Sequence, residues 1–494
     1  MNNVELLILI VLIWGNTGEN KIVWNRIVAF TSQLTPLVMK PNLFHHKYTP
    51  HTVLCFFIVT IAVSLISPLT CLAEIVESHP FIVYTPGERA TIAARLSREP
   101  YESWFGRVTQ EADRILELNV SWNETTVPKE IQGYYAKLLA FAHVFSAPDA
   151  PNAREYGDEA VRALNGIPGS SYSNFFSSDL AISEAVLFWA AAYDMLAGAG
   201  FDFVVDGTYH ESSIREKFQN IRDYMARDWD ENLFPPKPSI QKNFLSCAYI
   251  DVENTDNHHV KLYSALTVLS LVIADRGGFE EDFNRAQTRL RATLDNMTVA
   301  GGGWAEGPNY LLYSAHDYIP AITALKNKGI LDYSSLPELV QTHLMLPQMM
   351  MPDGRMPPID DNEAVNFYMA GIMHSQHPDQ AEHDMLLWMW DKGGRSIQIP
   401  FLPDYLAQFD DSTPEYNGPA ALGWNPTGFF PESGFATFRN SWDTDGTYML
   451  LLSEHGDARI KGQAHEHPDP NSIILNAFGE MLLLDSGYGG WAEH

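Results

Sequence analysis

The chain has 494 residues, 46% of them hydrophobic and 12% aromatic, enough for a large core and for two or three domains. Its formal charge of −29 argues against a general nucleic-acid binder, which needs a basic face, and sets a global field against any anionic partner. Three cysteines, Cys55, Cys71 and Cys247, supply no disulfide framework.

The first 73 residues differ from the rest. Leu6 to Trp14 is apolar but lacks a basic flank. A stronger export signal starts at Met39-Lys40, passes His45, His46 and Lys47, and reaches the apolar run Val53 to Ile66. Cys71-Leu72-Ala73 puts small residues where a signal peptidase reads. Cleavage is therefore expected after Ala73, with Met39 as the start and a secreted or periplasmic product without stable membrane insertion. The alternative is an N-terminal anchor, for which the run is short against the ~20 residues of a span. Pro68 speaks against acylation of Cys71.

From about residue 80 to 350 the pattern is helical. Asp179 to Gly198 is apolar on most of its circumference and predicts an inner helix, stopped by Gly198 and Gly200. Further helices are predicted over Gly133–Phe145, Ser212–Asp228, Asn257–Asp275, Glu281–Met297, Asn309–Lys328 and Ser335–Met350. Successive helices with short links imply helical hairpins, stacked as a solenoid or a closed α/α toroid. Pro352 to Asp361 reads as a loop, and a short helix fits around His383–Trp390. Strands are predicted over Phe435–Asn440, Thr447–Glu454, Ser472–Ala477 and Met481–Asp485, the last two joined by a hairpin turn. The expected fold is multidomain α+β, with a helical domain over 74–400 and an antiparallel β-sheet domain over 401–494. A sheet of this kind needs more strands to bury both faces, so the β-domain is expected to be incomplete.

Three segments combine polar chemistry with a reason to be exposed. Asp256-Asn257-His258-His259 opens a helix, where Asn257 could serve as a simple N-cap and His259 as a satisfied helix-surface histidine. Gly301-Gly302-Gly303-Trp304-Ala305-Glu306-Gly307-Pro308-Asn309-Tyr310 brings backbone close to a neighbour and starts a helix on which Tyr310 and Tyr313 share a face. His465-Glu466-His467-Pro468-Asp469 crowds imidazoles and carboxylates at the lip of the sheet. If extended, it puts His465, His467 and Asp469 on one side, suited to a metal site or an acid/base site.

In this order the three segments, with Pro352-Asp353-Gly354-Arg355, Ile359-Asp360-Asp361 and Asp485-Ser486-Gly487-Tyr488, resemble the heparinase II/III-like polysaccharide lyases. His79-Pro80-Phe81-Ile82-Val83 and Ala192-Tyr193-Asp194-Met195-Leu196 look like the same family, so the resemblance runs from about residue 79 onward. It implies an incomplete α/α toroid followed by an antiparallel β-sandwich, and cleavage of uronate polysaccharides, of alginate or glycosaminoglycan type, by β-elimination. Asn257 and His258 would neutralise the uronate carboxylate, His258 also serving as a base, Tyr310 would be the general acid, and His465 would assist from the β-domain. Glu306, Tyr313, Arg355, Arg439 and Tyr488 are the expected substrate contacts, and Arg459 and Lys461 further sources of local positive charge. A structural zinc is implied at His467 and Asp485, with a third ligand expected beyond residue 494. Because strand alternation puts His465 and His467 on one face, this division of labour needs a bend, expected at Pro468.

Two other readings stand beside this one. A glycoside hydrolase on an α/α scaffold would use two carboxylates, for which Glu306 and Asp361 are available. A carbohydrate-binding protein would keep the fold and a structural zinc without the reaction.

Overall fold

The computed structural model describes residues 79–494, except 124–125, 168–178, 227–255, 362, 378, 410–415, 462–464, 466, 468–470, 484 and 486–494. The chain divides into Met1–Cys71 and Leu72–His494, and everything described here belongs to the second unit. The expected export segment, Tyr488 and Pro468 lie outside the described residues.

Among its described residues the second unit is mostly helical, with a two-stranded antiparallel ribbon and a five-stranded antiparallel sheet. Its helices follow two patterns. In α1 (Arg89–Arg95) and α2 (Tyr101–Leu118) one stripe is apolar; α2 buries Tyr101, Val108, Ala112 and Ile115. α3 (Lys129–Phe145) and α5 (Asp179–Gly198) are apolar around most of their girth and pack on each other, while the amphipathic α4 (Ala153–Asn165) lies against α3. A short ribbon, β1 (Val204–Val205) and β2 (Thr208–Tyr209), leads into α6 (Glu211–Ala226). α7 (Asn257–Val272) is buried at every position but His258, so it must be an inner helix. It packs between α5, the outer helix α8 (Phe279–Met297) and α9 (Gly307–Asn327). α10 (Pro337–Met349), α11 (Ala370–Met373), α12 (Gln380–Lys392) and α13 (Leu402–Gln408) follow, and α13 returns to α2 and α3. Inner helices in sequence, each with an outer partner, are the helical hairpins read from the periodicity. Among the described residues one helix, Leu180–Gly198, is long and apolar enough to cross a membrane, and it is buried within this array.

The sheet is a meander of β3 (Gly428–Phe430), β4 (Phe435–Arg439), β5 (Tyr448–Leu452), β6 (Ser472–Ala477) and β7 (Glu480–Leu483), with a six-residue helix α14 (Gly456–Lys461) between β5 and β6. Alternation in β5 sends Tyr448, Leu450 and Leu452 to the buried face. Two side chains fasten that face to the end of α10. Tyr448 Oη donates to the Met349 carbonyl at 2.6 Å, and Arg439 Nη2 donates to the carbonyls of Gln348 and Met350, the latter at 2.6 Å. These are the orphan carbonyls of a helix C-terminus. Gly303, at φ 149°, brings the loop before α9 so close to Ser433 that a Cβ there would collide with the serine hydroxyl.

Candidate active site

α7 and α9 both point their N-termini at one cleft, and the loop before β6 delivers a histidine between them. The cap of α7 is Asp256 and not Asn257. Asp256 accepts from the His259 backbone N–H, and His259 Nδ1 accepts in turn from the Asp256 N–H at 3.1 Å. His259 is therefore spent on the cap and buried, not on the helix surface as expected. Burial works against the Asp256 carboxylate, but His259 and the nearby His258 hold it below the usual carboxylate range.

With the cap supplied by its neighbour, Asn257 turns to Glu306. Its backbone N–H and its Nδ2 both donate to Glu306 Oε1, at 3.3 and 3.1 Å, and Nδ2 also lies 3.4 Å from His465 Nε2. Burial, reinforced by Asp256, pushes the Glu306 carboxyl up to about 8, so it holds its proton at neutral pH.

His465 is wedged into this group. Its Nδ1 meets Asp361 Oδ2 at 2.8 Å, its Nε2 lies 3.5 Å from Glu306 Oε1, and the Asp361 N–H donates to its carbonyl at 3.3 Å. Its ring stacks on Tyr310 with 3.8 Å between centroids and 28° between planes. Burial holds the imidazole below its ordinary value against the pull of Asp361, so the neutral form prevails, with its proton on Nδ1 facing the carboxylate. The other oxygen, Asp361 Oδ1, pairs with His467 Nε2 at 2.9 Å.

Beneath the cleft, Lys261 sits one helical turn after Asn257 and is wholly buried. It pairs with Asp317, lies 3.9 Å from Glu184, donates to the Tyr313 carbonyl at 3.2 Å, and places its ammonium 3.9 Å from the Tyr313 ring centroid. His316, a turn beyond Tyr313, bonds the Tyr368 hydroxyl. The cleft encloses about 650 Å³, and its walls include Asn257, His258, Asn309, Tyr310, Tyr313, His316, Tyr368 and His465.

All four expected catalytic residues thus meet at one cleft, with Tyr313 on its wall. Glu306 lies directly behind Asn257. Arg355 and Arg439 are elsewhere: Arg355 is engaged by Asp353 at 2.6 Å in an exposed turn, and Arg439 is the half-buried cap of α10. Arg459 and Lys461 belong to α14 and are not among the described lining residues. Neither His465 nor His467 lies in a strand, so the alternation expected there does not apply to them; the two share the Asp361 carboxylate, with His465 on the cleft wall. Among the described residues no three His, Cys, Asp or Glu side chains converge as metal ligands, and β7 ends at Leu483, before Asp485. The described donors do not by themselves make up the implied zinc site.

Sequence reasoning gave Asp361 only a hydrolase role and passed over Lys261, His316 and Tyr368. The signal for Lys261 was its place in an otherwise apolar helix, where an ammonium needs a buried partner. His316 was marked only by its spacing, three residues after Tyr313.

No family model and no curated protein sequence matches this chain. Solved structures similar to it include heparinase III, at 16% identity over 73% of this chain and 50% of that one, with a TM-score of 0.48. A mutant heparan sulfate lyase from Pedobacter heparinus is similar at 15% identity over 72% of this chain and 48% of its own, with a TM-score of 0.43. The structural likeness is to heparinase-like lyases. The chain spans about half the length of these two structures.

Proposed function

We propose that this chain is a polysaccharide lyase that cleaves a uronate-containing anionic polysaccharide by β-elimination. The observation that carries this reading is the stacked pair Tyr310 and His465 in a cleft also walled by Asn257 and His258. The proton on C5 of a uronate is barely acidic while the adjoining carboxylate keeps its charge. Donors that neutralise the carboxylate stabilise the enolate-like transition state. Asn257 Nδ2 and His258 supply them, the carboxylate taking the place of the long contact to His465. A protonated Glu306 adds no second negative charge beside it.

His258 then takes the C5 proton, the C5–H electrons form the C4=C5 double bond, the C4–O4 bond breaks, and Tyr310 gives its phenolic proton to the departing O4. The products are a new reducing end and a 4,5-unsaturated uronate. His465, with Nε2 turned toward Asn257 and Glu306, acts as a wedge that fixes the Tyr310 ring and the Asn257 amide. The export signal read between Met39 and Ala73 would carry the enzyme to the envelope or beyond, where such polymers are met.

The hydrolase alternative would need Glu306 and Asp361 to flank a bond in the cleft. Both instead contact His465, and neither is among the described lining residues. Incubation with alginate, heparan sulfate, hyaluronan and chondroitin tests the proposal. A lyase releases an ultraviolet-absorbing unsaturated uronate, a hydrolase yields reducing ends without that absorbance, and a binding protein yields neither.

A further inference from the structure

α7 and α9 pack together with both N-termini at the cleft, α7 bringing Asn257 and His258 and α9 bringing Tyr310. How these residues face one another depends on the register of the two helices along their length. Apolar contacts fix a register weakly, because a slide of one turn, about 5.4 Å, brings similar side chains back into contact. A polar link crosses between the two helices. Lys261, on the face of α7 that carries Asn257 one turn earlier, pairs with Asp317, on the face of α9 that carries Tyr310 two turns earlier. We propose that this buried pair is a register lock, which holds Asn257 and His258 opposite Tyr310 and makes Lys261 and Asp317 positioning residues. Its consequence for catalysis rests on the lyase reading; the lock itself does not.

Lys261 grips α9 at two points. Its ammonium pairs with the Asp317 carboxylate and donates to the Tyr313 carbonyl at 3.2 Å, groups that lie one turn apart. It also lies 3.9 Å from the centroid of the Tyr313 ring, which packs at 84° to the Tyr310 ring with 6.3 Å between centroids. The ammonium thus bears on the ring beside the proposed acid as well as on the helix that carries it. A third inner helix joins from the side, with Glu184 of α5 3.9 Å from the ammonium.

The side chains of Lys261 and Asp317 are both wholly buried. Such a pair adds little stability, because leaving water costs both charges dearly, but it sharply penalises misalignment. Burial works against the ammonium, yet Asp317 and Glu184 hold it above the ordinary lysine range, so the charge persists. Were α7 to slide by one turn, Asp317 would be left buried without its cation. That penalty selects one register. It acts close to the site, since along their helices Asn257 lies about 6 Å from Lys261 and Tyr310 about 10 Å from Asp317.

The test replaces the pair in the full chain by apolar residues of similar size, as Lys261→Met with Asp317→Leu. Without the buried charges this double variant should melt no lower than wild type. Its kcat on the polysaccharide that wild type cleaves should nevertheless fall about 10- to 100-fold, the effect of misplacing groups by about 1 Å, with KM within about threefold. Wild-type kcat in the folded double variant would overturn the lock. If the double variant does not fold, Lys261→Met and Asp317→Asn decide. The asparagine keeps an acceptor for the ammonium, so kcat in the folded fraction should fall in Lys261→Met and largely survive in Asp317→Asn. Equal values in the two would overturn the lock. If wild type releases no unsaturated uronate, the lyase reading fails, and crystal structures of wild type and of the double variant or Lys261→Met, whichever folds, judge the lock alone. A shift of α7 along α9 by about 1 Å or more would uphold it, and an unchanged register would overturn it.

Discussion

The imidazole of His465 lies face to face with the phenol of Tyr310, 3.8 Å between centroids, and so ties the sheet-side loop to the first turn of α9. The contact fixes the plane of the ring whose hydroxyl is assigned the acid role. Tyr310→Phe keeps the stack and removes only the proton donor. It should cut kcat by about 10² to 10⁴, the range of general acid catalysis, with the melting temperature nearly unchanged. Tyr313→Phe should leave kcat within a fewfold. Comparable kcat losses in the two variants, measured at saturating substrate, would remove the assignment.

Asp361 is a positioning residue, because both its oxygens are committed to histidines. Asp361→Asn keeps the shape but offers one acceptor and one donor, so it cannot accept from both rings. The expected result is a roughly 10- to 100-fold fall in kcat, the size of a lost charge-assisted hydrogen bond, with little change in KM. An unchanged kcat would mean that the tautomer and orientation of His465 do not matter.

Glu306 should give the site a pH dependence on the alkaline side. Burial holds its carboxyl at about 8 in the fold, against an ordinary value of 4.5. The folded state therefore holds this proton more tightly than the unfolded chain. Its contribution to stability is full below about 4.5 and is lost as pH rises through about 8. Above that pH a carboxylate also appears behind Asn257 and opposes a bound uronate. Glu306→Gln should lose less melting temperature between pH 5 and pH 9 than wild type, and its KM should stay flat where that of wild type rises. Parallel profiles in the two proteins would contradict this.

Arg439 separates a structural from a substrate-binding role. It is half-buried, lies over the rings of Tyr448 and Trp442 and donates to the last carbonyls of α10. Arg439→Met should cost about 1–3 kcal/mol per acceptor left unpaired, seen as a lower denaturation midpoint, with KM unaltered in the folded fraction. A raised KM without loss of stability would restore the arginine to the substrate.

Legibility followed the range of the physics involved. Asp179–Gly198 was read to the residue, and Asn257, Gly307 and Pro337 begin helices within two residues of expectation, because apolar girth and Gly, Pro and Asn breaks are local signals. Strands β4 to β7 were found by their apolar runs and the turn at Phe478-Gly479. Tyr101–Leu118 and Ala153–Asn165 were not singled out, since each carries one narrow apolar stripe among many charges. At the site the resemblance named the four residues that meet. The cap at Asp256, the shared carboxylate of Asp361 and the buried Lys261 were beyond it. Asp361 and His465 are 104 residues apart, and no window of sequence reports that contact. The arginines were nominated by charge alone, and the fold uses two of them elsewhere, one in a turn and one on a helix end.

The central claim is that this cleft performs β-elimination on a uronate, and the direct measurement is ultraviolet absorbance of a polyuronate digest, with Tyr310→Phe alongside wild type. The account predicts that absorbance and new reducing ends rise together in wild type, one for one, and that both vanish in the variant. Reducing ends without absorbance, or equal absorbance from the two proteins, would contradict it.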